Sequence, residues 1–198
     1  LTGSIRGSRK DKRGIYTHLL EGGHFALNNF LGRGGYNLFG ADFAGGNLAL
    51  TDDIPPCHVA INTVSCADLM PGPLAEIDQF LKRYPNLPVI NPPRRVLETT
   101  RERNYQRLGG LRGVNFPRTL RIVNDGSPTE VRERLEAEHL GYPVILREVG
   151  TQTGKTMGLL ETPEAVEAHL GETRPGANLY AIEFIDCRSE DGYYHKIR

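Results

Sequence analysis

Residues 141–160 read GYPVILREVGTQTGKTMGLL, and this stretch decides how the second half of the chain folds. Apolar segments at 142–147 and 157–160 flank a loop at 150–156 that is rich in glycine and threonine. Short apolar runs with β-branched residues, bounded by glycine and proline, are typical of strands. The pattern therefore predicts two strands joined by a flap, not one continuous helix.

The flap shares some features with a P-loop, but its spacing differs. A P-loop has one more residue between its two glycines than the three found here between Gly150 and Gly154, and it opens a helix, not a strand. Val149 also stands where the first glycine would lie. Backbone N–H groups of such a flap can still close over phosphates, to which Lys155 adds a positive charge. An ordinary solvated hairpin turn explains the same residues, and the two interpretations stay open.

Strand and helix signals continue on both sides of this stretch. Ser127, Pro128 and Glu130 form a capping box that predicts a helix from 127 to Leu140, ended by Gly141. Periodicity and turn residues predict further helices at 73–84, 101–108 and 162–170, the last ended by Gly171, and strands at 58–64, 87–90, 120–123 and 179–186.

The order of these elements changes along the chain. Strand, helix and strand over 58–90 predict a parallel βαβ unit, in which 58–64 is a fully buried strand. The later elements, closed by an expected hairpin between 179–186 and 193–198, predict an antiparallel sheet with helices. The fold class is therefore an α/β N-terminal lobe with a parallel sheet, followed by an α+β subdomain with an antiparallel sheet.

Composition and charge exclude several classes of protein. The 198 residues include 24 Lys or Arg and 24 Asp or Glu, and this balance argues against a surface that binds nucleic acid throughout. Mean hydropathy is −0.40, and no apolar run approaches the roughly 18 residues of a membrane span. Three cysteines without C-x-x-C spacing and six scattered histidines predict neither a disulfide scaffold nor a zinc site. The expected compartment is the cytoplasm.

Five motifs in chain order resemble the ATP-grasp superfamily of carboxylate–amine and carboxylate–thiol ligases. They are a join made of PVINPP at 88–93, TTRER at 99–103 and FPRT at 116–119, then GYPVILR at 141–147, the flap at 150–156, AIEFI at 181–185 and DGYYHKIR at 191–198. The resemblance covers residues 58–198 and implies a pre-ATP-grasp α/β domain at 15–95. It implies the N-terminal part of an ATP-grasp nucleotide-binding domain at 96–198, so that this fold is incomplete. Basic residues interleaved with Gly and Ser predict a linker or arm at 1–14.

The resemblance also assigns binding residues. Arg103 and Arg147 stand where the family commonly has phosphate-binding lysines, and arginine keeps the charge but presents a planar fork. Backbone groups of Glu183, Phe184 and Ile185 would hold the adenine edge. An acidic residue after them would hold the ribose, and the phosphates would be surrounded by further residues of the flap and the C-terminal segment. These candidates are Asp186 or Glu190 for the ribose, and Gly150, Thr151, Gly154, Lys155 and Lys196 for the phosphates.

The implied reaction transfers a phosphoryl group from ATP to a carboxylate, and an amine or thiol then attacks the acyl phosphate. Arg198 would be the catalytic residue that steadies the transferring group. ATP and Mg²⁺ are the implied cofactors, with the Mg²⁺ ligands expected beyond Arg198, so the sequence as given is not expected to turn over. The carboxylate and the amine or thiol are unspecified, no membrane partner is expected, and a homodimer is left open.

Two other functions account for part of the sequence. A non-catalytic nucleotide-binding or regulatory module agrees with arginine at both lysine positions. A nucleic-acid-binding module would use the arginines of 94–121, but aromatic residues are not regularly interleaved with them. Asn62, at the end of a predicted strand, is a further candidate for contact with the acceptor, whereas His195, Ser65 and Cys66 are better explained without a catalytic role.

Overall fold

A computed structural model describes the backbone of residues 5–10 and 16–20 and the residues 56–151, 154 and 156–194. The chain forms two compact units, Leu1–Thr100 and Arg101–Arg198. The domain identities expected for 15–95 and 96–198 stay predictions. Among the described residues, none of the helices has the length and apolar character that crossing a membrane requires.

Two strands near the start of the first unit, β1 (Ile5–Lys10) and β2 (Tyr16–Leu20), pair antiparallel, with Lys10 opposite Tyr16. β1 lies within the segment 1–14, for which the charge pattern predicts a linker or arm. Basic side chains keep a segment solvated but do not prevent its backbone from pairing, and they are common on edge strands. The predicted arm therefore contains a strand.

The first unit also contains the parallel βαβ arrangement that the sequence predicts. β3 (Ala60–Ile61) and β4 (Val89–Ile90) pair in parallel, and α1 (Pro71–Leu81) lies between them along the chain. α1 buries Leu74 and Ile77, and a short helix, α2 (Pro93–Val96), packs against it. A parallel pair needs a long crossover, which α1 supplies.

The strand β3 is shorter and more exposed than predicted. The prediction of a fully buried strand over 58–64 is wrong, because β3 has two residues and Val59 is 41% exposed. The side chain of Asn62 ends the strand early. Its Oδ1 accepts a hydrogen bond from the N–H of Val64 at 2.9 Å, and its Nδ2 donates to the carbonyl of Val64 at 3.1 Å, which turns the chain.

The second unit contains a four-stranded sheet in which every pairing is antiparallel, as predicted. The strand order is β5–β8–β6–β7. Its elements in chain order are α3 (Arg101–Leu108), β5 (Thr119–Val123), α4 (Pro128–Ala137), β6 (Val144–Glu148), β7 (Met157–Leu160), α5 (Ala165–Glu172) and β8 (Asn178–Glu183).

The apolar core of this unit joins α4 and α5 to one face of the sheet. Alternate strand residues point to opposite faces, so the core takes every second side chain of each strand. The buried cluster comprises Ile122, Val131, Leu135, Leu140, Val144, Leu146, Leu160, Val166, Leu170, Ala177, Leu179 and Ala181. The intervening side chains occupy the second face, which includes Arg121, Ile145, Arg147, Tyr180 and Ile182.

The C-terminal end of α4 differs from the prediction. The helix ends at Ala137, not at Leu140, and Gly141 does not stop it. Instead His139 adopts a φ of 55°, and the N–H of Leu140 donates to the carbonyl of Leu135 at 2.8 Å. This hydrogen bond is typical of a Schellman motif, and it turns the chain so that Leu140 enters the core.

Two boundaries further along the chain also differ. Gly171 does not end α5, which continues to Glu172, because glycine is tolerated inside a helix that is closed by other contacts. β8 ends at Glu183, and residues 184–194 contain no strand. Most of 193–198 lies outside the described residues, so the predicted hairpin stays a prediction.

Candidate functional site

Arg147 stands at the foot of the flap, near the end of β6. It pairs in register with Met157 of β7 and with Tyr180 of β8, and only 9% of it is exposed. Its Nη2 donates to the carbonyl oxygen of Thr151 and lies 3.2 Å from the hydroxyl of the same residue. The strand therefore places a nearly buried cation where the loop begins, and its role in phosphate binding stays a prediction.

Hydroxyl groups tie the two ends of the flap together. The Oγ1 of Thr151 donates to the carbonyl of Glu148 at 2.6 Å and lies 3.1 Å from the hydroxyl of Thr156. The N–H of Glu148 donates in turn to the hydroxyl of Thr156 at 3.3 Å. Gly150 and Gly154 have φ values of 81° and 72°, which favour glycine. The predicted flap therefore has an ordered base.

An apolar floor continues from Arg147 along the second face of the sheet. Ile145 lies opposite Ile182 in register and both are half-buried, while Met157 and Leu159 of β7 are 52% and 46% exposed. Tyr180, the partner of Arg147 on β8, lies three residues before Glu183. This distance is roughly 10 Å at the usual rise of a strand. The floor thus lies between Arg147 and the end of β8.

The residues predicted to hold the adenine edge lie at that strand end. The N–H of Glu183 donates to the carbonyl of Arg118 at 2.8 Å, and its carboxylate accepts from the N–H of Arg118 at 2.9 Å. Phe184 and Ile185 are half-buried. Within the described residues, the backbone groups of these two make no hydrogen bond. Their polar backbone groups are therefore the ones that a ligand could engage.

The two acidic residues predicted as alternatives for the ribose have different surroundings. Asp186 accepts hydrogen bonds from the Nε and the backbone N–H of Arg188 at 2.9 and 3.1 Å, and Nη2 of Arg188 completes the fork. These hydrogen bonds lower the pKa of Asp186 to about 2. Glu190 is exposed. Arg188 therefore has to be displaced, or to join the site, if Asp186 binds a hydroxyl.

A second polar group on the same face was missed by the sequence reasoning. The Nε of Arg121 on β5 donates to Oε1 of Glu102 on α3 at 2.8 Å, and its Nη2 donates to the hydroxyl of Tyr180 at 2.7 Å. The guanidinium carbon lies 5.0 Å from the centroid of the Tyr180 ring. Burial raises the pKa of Glu102, but the hydrogen bond from Arg121 and smaller favourable contacts outweigh it and bring that pKa below its usual value.

The remaining predicted residues are only partly placed. Arg103 is exposed on α3, immediately after Glu102. Lys155, Lys196 and Arg198 lie outside the described residues, as does His195, so their roles stay predictions. Among the residues that the structure describes, no group of three or more His, Cys, Asp or Glu side chains is arranged to hold a metal ion.

Asn62 is engaged within its own unit. Its Nδ2 donates to the carbonyl of Asn91 at 3.0 Å, and the Nδ2 of Asn91 donates back to the carbonyl of Asn62 at 3.0 Å. These reciprocal bonds join the ends of β3 and β4. The proposed contact of Asn62 with an acceptor stays a prediction, and its observed role is to connect the two strands.

Several arginines of 94–121 are committed to internal contacts. Arg121 is paired as described, and Nη1 of Arg118 donates to the carbonyls of Glu138 and His139 at 2.8 and 2.9 Å. Arg95, by contrast, forms a surface ion pair with Glu98 at 3.5 Å, and its side chain is 67% exposed. Phosphate contacts require cations that are accessible to the nucleic-acid backbone. These contacts count against a nucleic-acid role for Arg118 and Arg121 alone, because the arginines at 94, 95, 101, 103, 107 and 112 are exposed. The nucleic-acid hypothesis stays a prediction.

No protein-family model and no curated protein sequence matches the chain. Among solved structures, the chain is similar to a carboxyaminoimidazole ribonucleotide synthase from Aspergillus clavatus that was solved in complex with ATP. The sequence identity is 16%, the match covers 66% of this chain and 31% of that chain, and the TM-score is 0.43. The chain thus spans about a third of the length of that enzyme. A TM-score this low does not establish a shared fold.

Proposed function

We propose that the second unit binds ATP on the second face of its sheet. The observation that carries the proposal is the placement of Arg147, a nearly buried cation at the foot of a glycine-rich flap, beside an apolar floor that runs to the end of β8. Each feature alone has an ordinary structural explanation. Their arrangement on one face matches what a nucleotide needs, namely a cation and N–H groups for phosphates and apolar contacts for the base.

The phosphate end of the proposed site is the flap with Arg147. An arginine offers five N–H donors in a planar fork, which suits phosphate oxygens. The positive φ of Gly150 and Gly154 lets the flap backbone approach an anion closely. Lys155 and Lys196 are proposed to add charge, and Arg103 is proposed to approach from α3.

The base end of the proposed site is the segment after β8. Ile145 and Ile182 would pack against the flat face of adenine, and the backbone groups of Phe184 and Ile185 would hydrogen-bond its edge. Asp186 or Glu190 would hold the ribose. This assignment uses apolar contact for affinity and a few polar groups for orientation, as in most small-molecule sites.

The reaction that we propose for the site is activation of a carboxylate. A carboxylate oxygen attacks the γ-phosphorus, the bond from that phosphorus to the bridging oxygen breaks, and ADP leaves with the electron pair. An amine or thiol then attacks the acyl carbon and expels phosphate. Arg198 is proposed to stabilise the transferring group. Mg²⁺ is proposed to be held by ligands beyond Arg198, where it would neutralise phosphate charge.

ATP binding is tested by isothermal titration calorimetry of the 198-residue chain. We expect saturable binding that Arg147→Ala weakens about tenfold, which corresponds to about 1.4 kcal/mol, and that Arg147→Lys largely retains. Arg134→Ala is the matched control, because this arginine lies on α4, on the other side of the sheet. Absence of binding, or equal affinity of the wild type and Arg147→Ala, contradicts the proposal.

A non-catalytic nucleotide-binding module is the second candidate. It is favoured by the engagement of Arg147 with Thr151, because Nη2 contacts both the carbonyl and the hydroxyl of that residue and so ties the side chain to its own loop. Both candidates predict ATP binding and both predict the effect of Arg147→Ala. They differ in ADP formation, which a coupled assay with a panel of carboxylates and amines would detect only for a ligase.

A further inference from the structure

The second face of the sheet carries a row of three large polar side chains. Arg121 of β5, Tyr180 of β8 and Arg147 of β6 lie opposite one another in register, so they point to the same side of neighbouring strands. Tyr180 is 1% exposed and does not belong to the apolar core cluster on the other face. It therefore separates the two arginines, and only Arg147 stands at the flap.

The outer arginine of this row attaches α3 to the sheet. Arg121 bonds simultaneously to Glu102 on the helix and to Tyr180 on β8, with donor–acceptor distances of 2.8 and 2.7 Å. The second carboxylate oxygen of Glu102 is buried and has no hydrogen-bond partner in the described residues. The charge of Glu102 is thus directed at Arg121, and the two charges largely compensate each other.

The helix α3 is not held by an apolar stripe. None of its side chains is fully buried, although it packs against β5. An ion pair that is partly removed from water adds little net stability compared with apolar packing, because desolvation offsets the attraction. Such a pair does define a geometry. The guanidinium of Arg121, held by two partners, is therefore one link that defines the placement of α3 on the sheet.

We infer that Glu102, Arg121 and Tyr180 form a positioning group that sets α3 so that Arg103 approaches the same phosphates as Arg147. This inference rests on the proposed function. Arg103 follows Glu102 directly, so a shift of the helix on β5 moves both residues together. The three members of the group need not touch the nucleotide, and they act through Arg103.

The inference is tested by a double-mutant cycle with ATP binding as the readout. We expect Arg103→Ala to weaken binding about tenfold in the wild type, but only about twofold further once Glu102→Gln has released the helix, so that the double variant binds about as weakly as Arg103→Ala alone. Glu102→Gln alone is expected to weaken binding about fivefold, within the range of such couplings. Arg147→Ala should keep its full effect in the Glu102→Gln background, which a general loss of structure would not allow.

Two further variants test the positioning group even if Glu102→Gln does not fold well. Tyr180→Phe removes only the hydroxyl and should give a smaller loss with the same coupling to Arg103, even if Glu102→Gln folds poorly by circular dichroism. Glu102→Asp, which keeps the charge, should restore part of the affinity lost in Glu102→Gln. A wild type that binds no ATP overturns the proposed function and this inference together. A wild type that binds ATP, with Arg103→Ala and Glu102→Gln additive, overturns the positioning role alone.

Discussion

At the scale of single residues, Gly158 shows how closely a helix approaches the sheet. It lies on β7 opposite Leu146, on the face covered by α5. A Cβ at this position would lie 2.6 Å from Nδ1 and 2.9 Å from Cε1 of His169. A Cβ this close to the ring would clash with it, so the His169 side chain would have to move if position 158 carried a side chain.

We expect Gly158→Ala to lower the free energy of unfolding by about 1–3 kcal/mol, the usual range for overpacking. The loss should be much smaller when His169→Ala has removed the ring, because the clash disappears. Urea unfolding followed by circular dichroism measures both. Gly171→Ala in α5, where a Cβ meets no atom within 4 Å, is the control and should be neutral or stabilising. Equal losses with and without His169 would refute the explanation.

At the scale of elements, helix ends divide into those that local sequence predicts and those that it does not. The N-terminal cap of α4 is confirmed: the hydroxyl of Ser127 accepts from the N–H of Glu130 at 3.2 Å. The reciprocal bond of a capping box is replaced, because the N–H of Ser127 donates to Asp125 at 2.9 Å. A capping motif made of consecutive residues can be recognised in the sequence. Which atoms its hydrogen bonds join cannot.

The C-terminal end of α5 is closed by a residue distant in the chain. Asn124, which is 1% exposed, donates from Nδ2 to the carbonyls of Leu170, Thr173 and Arg174 at 3.3, 3.1 and 3.3 Å. Its Oδ1 accepts from the N–H of Gly126 at 3.1 Å. One amide therefore satisfies carbonyls that a helix end leaves unpaired. The predicted end of α5 at Gly171 is wrong, because the long-range contact from Asn124 closes the end of the helix instead.

Replacing Asn124 tests this capping role. Asn124→Asp removes the donor and points a negative charge at the carbonyls, so we expect a loss of about 3–5 kcal/mol, as for an uncompensated buried charge. Asn124→Ala should cost less, about 1–3 kcal/mol, because it leaves the carbonyls unpaired without adding charge. The control is Asn115→Asp at an exposed position, with an expected change within about 0.5 kcal/mol. Comparable losses for both aspartates in chemical unfolding would disprove the capping role.

At the scale of the whole molecule, the order of elements was more predictable than the site. The change from a parallel βαβ unit to an antiparallel sheet follows from the spacing of strands and helices, and Arg147 follows from its place before the flap. The Glu102, Arg121 and Tyr180 group was not predictable. Tyr180 is 59 residues from Arg121, and only the register between β5 and β8 brings them together. In the sequence, Glu102 was the clue to this group, as an acidic residue within the arginine-rich segment 94–121.

The stability of the folded chain should also depend on pH through one histidine. Burial lowers the pKa of His169, and the charge of Glu172 opposes this only in part. Its Nε2 is buried without a hydrogen-bond partner among the described residues. The folded state therefore favours the neutral ring, whereas the unfolded chain takes up a proton near pH 6.5, the ordinary value for histidine.

The sign follows from linkage, because stability rises with pH wherever the unfolded state binds more protons than the folded state. We expect the Tm of the wild type to be highest above pH 6.5 and to fall as the pH drops toward the folded pKa. The lowered pKa of Glu102 acts in the same direction, but only at more acidic pH, below the usual range of a carboxyl.

Substituting His169→Gln should flatten the decrease in Tm between about pH 7.5 and 5.5. Thermal unfolding at a series of pH values measures this, with His139→Asn as the control, since asparagine also accepts the positive φ of that exposed position. A slope that is unchanged in His169→Gln, or lost equally in His139→Asn, would show that another group controls the acid sensitivity.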